Sequence, residues 1–152
     1  SFWISKGINF LILGSLSVQN SKLVLRVADK YPHKIYVALD ILNEKIMIKG
    51  WVEQSDLSIK DVFSIYNQAP IKGYILTDVS RDGLLEGLNF NLIKKITLLT
   101  KKNIIVGGGL SSYSDVETLK DMVLNPNLEG FIAGKSIYSG NIELTKVIEL
   151  LK

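Results

Sequence analysis

Five short apolar runs punctuate the chain: residues Asn9–Leu13, Lys34–Asp40, Lys72–Asp78, Asn103–Gly107 and Glu129–Ala133. None alternates cleanly between apolar and polar positions, as expected of parallel strands covered on both faces. Between them apolar residues recur at helical spacing. Ile59, Val62, Phe63 and Tyr66 form one stripe, and Leu144, Val147, Ile148 and Leu151 another. Leu92, Ile93, Ile96 and Leu99 make a third, Val116, Leu119 and Val123 a weaker fourth, and Leu23, Val24 and Val27 lie within Asn20–Lys30. Each predicts a helix with one face for docking on a sheet. Ser58 with Asp61, and Ser114 with Glu117, have the spacing in which a hydroxyl and a carboxylate satisfy the free N–H groups of a first helical turn.

The order is therefore strand then helix, five times, which implies an α/β fold with a parallel sheet and right-handed crossovers. Strand starts recur every 30 residues or so between Asn9 and Glu129. Eight such units need about 240 residues, close to the ~250 of a (β/α)8 barrel. Five units suit either an open doubly wound sheet or the later part of a barrel whose first three units are absent. No linker or low-complexity segment divides residues 1–152, so a single domain is expected. The long connection 41–56 contains Lys45-Ile46-Met47-Ile48-Lys49-Gly50-Trp51, a candidate hairpin or extra strand.

Composition narrows the chemistry. With 47% hydrophobic residues and 3 prolines among 152, the chain has apolar surface for a core. A net charge of +3 is too weak a bias to imply nucleic acid. There is no cysteine, which excludes thiolate chemistry and disulfides, and His33 is the single histidine. No apolar run approaches the ~20 residues of a membrane helix. No leader precedes the first segment, whose first residue is Ser rather than Met. A soluble cytoplasmic protein, and a candidate piece of a longer one, is the expectation.

In either architecture ligands bind at the carboxyl ends of the strands. Those ends carry Gly14-Ser15, then Asp40, then Thr77-Asp78-Val79-Ser80-Arg81-Asp82-Gly83. The last two carry Gly107-Gly108-Gly109-Leu110-Ser111-Ser112 and Gly134-Lys135-Ser136. Two consecutive glycine turns, each opening a helix, suit a phosphate, because backbone N–H groups can approach an anion with no Cβ in the way. The alternative is that the glycines only make tight turns. Asp40 and Asp82, with Asp78 behind them, are the carboxyl candidates for acid–base work, although Asp40 could cap a turn and Asp82-Gly83 is itself a turn dipeptide. Thr77 could simply satisfy a neighbour. Arg81 is either an anion clamp or a solvated loop charge, and Trp51 either a lid or a rim plug. His33, ahead of the second strand, reads as surface or structural. Lys101-Lys102 needs no partner at a helix end.

Thr77-Asp78-Val79-Ser80-Arg81-Asp82-Gly83, with Gly87 and Asn89 beyond, closely resembles a signature of the phosphoribosylformimino-5-aminoimidazole carboxamide ribotide isomerases of histidine biosynthesis. The other strand ends agree in order. Ile12-Leu13-Gly14-Ser15 resembles that family's fourth strand and turn, Val37-Ala38-Leu39-Asp40 the fifth, and Lys49-Gly50-Trp51 with Ser55 the fifth loop. Gly108-Gly109-Leu110-Ser111-Ser112 resembles the seventh turn, and Ala133-Gly134-Lys135-Ser136-Ile137-Tyr138 the eighth.

The resemblance implies strands four to eight of a (β/α)8 barrel. It also implies an Amadori rearrangement, aminoaldose to aminoketose, on a substrate with a phosphate at each end, without cofactor or metal. By it, Asp40 is the general acid, Thr77 assists at the sugar, and Asp82 supports the closed site. Trp51, Ser80, Arg81 and Gly83 are expected around the substrate. Gly107, Gly108, Gly109, Gly134 and the backbone N–H of Lys135 are expected on one phosphate, and Gly14 and Ser15 on half of the other. The family's general base, an Asp on strand one, has no counterpart here, nor has its glycine turn after strand three. Leu84 stands where Thr is usual, Leu88 where Pro is common, and Gly107 replaces Ser or Ala.

The partner implied is a small bisphosphorylated molecule, not nucleic acid or membrane. A missing amino-terminal segment or a second copy is expected to close the barrel, and the isolated chain is expected to be inactive. Two alternatives stay open. One is the cyclase subunit of imidazole glycerol phosphate synthase, which Trp51 and the Thr77-Asp78 pair disfavour. The other is a non-catalytic half-barrel that binds sugar phosphates.

Overall fold

Five parallel strands lie side by side in the order in which the chain makes them. The computed structural model describes residues 2–122 and 127–152. After α1 (Phe2–Ser5) come β1 (Leu11–Leu13), α2 (Ser15–Gln19), α3 (Ser21–Lys30) and β2 (Ile35–Leu42). The antiparallel strands β3 (Lys45–Ile48) and β4 (Glu53–Gln54) precede α4 (Ile59–Tyr66), β5 (Gly73–Asp78), α5 (Phe90–Thr97) and β6 (Asn103–Gly107). The chain ends with α6 (Tyr113–Met122), β7 (Leu128–Phe131), α7 (Lys135–Tyr138) and α8 (Leu144–Leu151). Parallel pairing runs β1–β2–β5–β6–β7. A doubly wound sheet reverses its strand order at a switch point. This one never reverses, which is the order of a barrel wall.

The two sheet faces differ in the same sense. Ile35, Val37, Leu39 and Ile41 of β2, Tyr74 and Leu76 of β5, and Ile104 and Val106 of β6 join Val24, Val62, Phe63, Ile93, Ile96, Val116, Leu119 and Val147 of the helices in one buried core. The alternate residues face away from the helices and fall into three rows, because residues paired in register share a face. The rows are Tyr36–Gly73–Asn103, Ala38–Ile75–Ile105 and Asp40–Thr77–Gly107. Helices on one face and layered rows on the other are what a partial (β/α)8 barrel requires. On this inner side Ile12 of β1, paired with Tyr36, is 60% exposed, and Ile132, just after β7, is 49% exposed.

The lowest row is polar and tied together. Tyr36 Oη donates to Glu129 Oε2 at 2.7 Å, and Lys72 Nζ lies 3.2 Å from Glu129 Oε1. Burial pushes the Glu129 carboxyl up, but hydrogen bonds from Tyr36, Lys72 and Asn103 and the Lys72 charge outweigh it and hold the group below its ordinary value. Burial, with the hydrogen bond to Glu129, raises Tyr36 well above the usual phenol range. Gly73 is required between these side chains, since a Cβ there would strike the Asn103 carbonyl.

Local signals explain most element ends. Ser58 Oγ accepts from the Asp61 N–H, the Asp61 carboxylate accepts from Ser58 N–H and Oγ–H, and these bonds hold Asp61 below its ordinary value. The second expected capping box is corrected. Helix α6 starts at Tyr113, so Ser112 caps Asp115, whose carboxylate accepts from the N–H groups of Ser111 and Ser112. Both Ser112/Asp115 and Ser114/Glu117 have the right spacing, and the buried Asp115 under Gly87 decides between them. Val123, expected on the same helix, lies outside the described residues. Residues Lys45–Trp51 contain β3 of a hairpin closed by Asn43 and Glu44, both with positive φ, the twist that two-residue hairpin turns need. The first strand is shorter than the apolar run around it and begins at Leu11. His33, exposed ahead of β2, donates its backbone N–H to the Pro70 carbonyl, as a structural residue would.

Candidate active site

The upper row sets the chemistry. Asp40, Thr77 and Gly107 lie in register near the carboxyl ends of three neighbouring strands, so Asp40 and Thr77 point the same way at adjacent positions. Above them opens a cleft of about 410 Å³, walled by Trp51, Thr77, Asp82, Gly83, Gly107, Gly108, Gly109, Gly134 and Lys135, with Leu85, Leu110 and Ile132 as its apolar parts. Asp40 joins the cleft through Trp51, whose indole Nε1 donates to Asp40 Oδ2 at 2.8 Å. Trp51 sits in the turn between β3 and β4 with φ +70, and the Lys49 N–H in the same turn donates to Ser15 Oγ at 2.8 Å. The β3–β4 turn is thus held to the end of β1 by Ser15 and to the end of β2 by Asp40.

The two glycine turns serve different needs. Gly108 has φ +89, and a Cβ there would collide with the Asp78 carbonyl. Gly109 has φ +94, and its Cβ would lie 2.5 Å from the Gly87 carbonyl oxygen and 2.8 Å from Arg81 Cβ. These glycines let the loop after β5 pack directly on the turn after β6, and the Gly87 N–H donates to the Gly109 carbonyl at 2.9 Å. Gly107 and Gly134 have no such need: Gly107 has room for a Cβ, and Gly134 meets nothing within 4 Å. The backbone N–H groups of Gly108, Gly109, Leu110, Gly134 and Lys135 donate to no protein acceptor among the described residues. Gly108, Gly109 and Leu110 are buried, Gly134 is half-buried and Lys135 is exposed at the rim; free donors gathered in this way suit an anion.

Several expected site residues stand elsewhere. Arg81 does not line the cleft: its Nη1 donates to the Gly87 carbonyl at 2.9 Å and the Glu86 carbonyl at 3.3 Å, stapling its own loop. Ser80 Oγ donates to Asp78 Oδ1 at 2.6 Å, and Asn89 Nδ2 donates to Asp78 Oδ2 at 2.8 Å, so the buried Asp78 anchors both ends of that loop. Ser80 and Asp78 line a separate cleft of about 320 Å³ beside the β2–β3 hairpin. Gly14 and Ser15 lie at the end of β1, outside the main cleft. Asp115, the bond from Asn89 to Asp78 and the bond from Lys135 Nζ to the Gly83 carbonyl, 2.7 Å, were not anticipated, although Asn89 itself belongs to the signature. Asp115 and Asn89 follow capping rules, whereas nothing local signals a contact across 52 residues.

The family described as histidine biosynthesis protein matches residues 1–143. The chain belongs to the histidine biosynthesis protein family. Among curated relatives, a protein of Clostridium botulinum (strain Okra / Type B1) is 37% identical over 148 residues, covering 97% of this chain and 60% of the relative. It is named 1-(5-phosphoribosyl)-5-((5-phosphoribosylamino)methylideneamino) imidazole-4-carboxamide isomerase. Proteins of Ruegeria sp. (strain TM1040) and Paramagnetospirillum magneticum (strain ATCC 700264 / AMB-1), named as the same isomerase, are each 33% identical over 150 residues, covering 99% of this chain and 62% of their own length. This member of the family therefore spans about three fifths of the curated relatives it matches. Among the described residues no helix is long and apolar enough to cross a membrane.

Proposed function

We propose that these residues are the later five units of a (β/α)8 isomerase, in one domain, that converts a bisphosphorylated aminoaldose of histidine biosynthesis to its aminoketose. The observation that carries this reading is the row Asp40–Thr77–Gly107, which sets a carboxyl and a hydroxyl under a cleft rimmed by backbone amides. The names of the curated relatives support it. So do the open edges: β1 pairs only with β2 and β7 only with β6 among the described residues, as when three units that close the wall lie outside the chain.

In this reading one phosphate seats on the amides of Gly108, Gly109, Gly134 and Lys135, and Gly14 and Ser15 supply half of the opposite site. With both ends held, the aminosugar is fixed over Asp40, which removes most of the orientational entropy of the reaction. Asp40 gives a proton to the ring oxygen as the bond between that oxygen and C1 breaks, leaving an open-chain iminium. Thr77 steadies the sugar hydroxyl beside it. The indole N–H of Trp51 stabilises the carboxylate that Asp40 becomes. A second carboxylate, supplied by the segment outside these residues, removes the proton at C2 to give an enaminol. Protonation at C1 and loss of the C2 hydroxyl proton, which restores the proton Asp40 gave to the ring oxygen, then yield the ketone. One proton leaves C2 and one arrives at C1, so the rearrangement is an internal redox exchange that needs no external oxidant or reductant.

The complete protein that contains this chain should convert the bisphosphorylated aminoaldose to the aminoketose without ammonia. A requirement for ammonia or a glutaminase would overturn the reading in favour of the cyclase. Tight binding without turnover would overturn it in favour of a non-catalytic sugar-phosphate binder.

A further inference from the structure

Lys135 spans the mouth of the cleft. Its backbone opens α7 on one side, and its ammonium donates to the Gly83 carbonyl on the other at 2.7 Å. Both residues line the cleft. Gly83 directly follows Asp82 in a loop stapled to itself by Arg81 and seated on Gly109 through the Gly87 N–H. A pull on the Gly83 carbonyl therefore acts on the whole segment from Val79 to Gly87, Asp82 included. The ammonium makes no ion pair among the described residues. It has three donors and Gly83 takes one, leaving two; Lys135 lines the same cleft as Gly108, Gly109 and Gly134, whose amides have no partner among the described residues.

We propose that Lys135 is an anion-coupled brace and so a positioning residue. Its ammonium holds Gly83 and an anion on the glycine turns at once, so anion binding closes the loop that carries Asp82. The brace rests on the phosphate reading of those turns. A single exposed ammonium–carbonyl bond is weak in water. An anion that fixes the ammonium makes that bond stronger, and by reciprocity the closed loop binds the anion better.

The test is amide hydrogen exchange on the complete protein, with inorganic phosphate as the probe. Phosphate should slow exchange at Gly108–Leu110, and should slow exchange across residues 79–87 by about fivefold or more. In Lys135→Met, phosphate should bind several-fold more weakly, still protect Gly108–Leu110 when saturating, and leave residues 79–87 unprotected; Lys135→Arg should restore part of that protection. An unchanged urea midpoint in Lys135→Met excludes a general loss of fold as the cause. Equal protection of residues 79–87 in the native protein and in Lys135→Met would overturn the brace and leave the phosphate site standing. No protection of Gly108–Leu110 in the native protein would overturn both.

Discussion

Replacing Gly109 by Ala, beside the same replacement at Gly107, separates a glycine that the backbone requires from one it does not. At Gly109 φ is +94, where a side chain costs about 1–2 kcal/mol. The new Cβ would also lie 2.5 Å from the Gly87 oxygen. Relaxed carbon–oxygen contacts settle near about 3.3 Å, so the two loops must part by about 0.8 Å. Such overpacking costs about 1–3 kcal/mol and puts the Gly87–Gly109 hydrogen bond under strain. Gly109→Ala should therefore lose about 2–5 kcal/mol and speed exchange of the Gly87 amide. Gly107 lies in β6 and a Cβ there would meet its nearest neighbour at 3.6 Å, ordinary contact, so Gly107→Ala should lose no more than about 0.5 kcal/mol. Urea unfolding of the complete protein, with midpoints compared at equal slope, reads the difference. Equal midpoints for the two variants would refute the argument that the loop after β5 packs directly on this turn.

Three further substitutions probe the frame. Tyr66 is fully buried, its hydroxyl pushed up to about 12 by burial, and it donates to the Ser17 carbonyl at 2.7 Å. Tyr66→Phe leaves that carbonyl unpaired, so denaturant unfolding should show a loss of about 1–3 kcal/mol. Glu129 has a depressed folded value, so its contribution is present above the ordinary glutamate value and is lost as pH falls through the folded one. Glu129→Gln should therefore be less stable than the native protein near neutral pH, and urea midpoints should converge as pH falls through the depressed folded value. Ser136 is buried and its Oγ has no hydrogen-bond partner among the described residues, so Ser136→Ala should raise stability by about 1 kcal/mol in the same assay.

The strand-end chemistry was legible because a parallel barrel has simple rules. Apolar runs mark strands, period two sets the face, and the carboxyl end sets the mouth, so Asp40, Thr77 and the glycine turns could be placed from sequence. The hairpin was legible from Lys45–Trp51 for the same reason. What escaped was decided by tertiary contact. Asn9 and Phe10 belong to the apolar run but not to β1, because the ladder with β2 begins at the Leu11–Ile35 pair. Arg81 has the charge of an anion clamp, yet three residues of its own loop turn their carbonyls to it. Two serine–carboxylate pairs compete to open α6, and only burial of Asp115 under Gly87 chooses. The resemblance supplied what periodicity left open, the choice between barrel and doubly wound sheet, and the strand order agrees with it.

Turnover by Asp40→Asn in the complete protein tests the central claim most directly. Asn keeps the shape and can still accept from the Trp51 indole through its amide oxygen, but it has no acidic proton to give. The account predicts that kcat falls by about 10²–10⁴-fold, the share general-acid catalysis supplies, while KM and inorganic phosphate binding stay within a few-fold of native. A kcat within a few-fold of the native enzyme would contradict it.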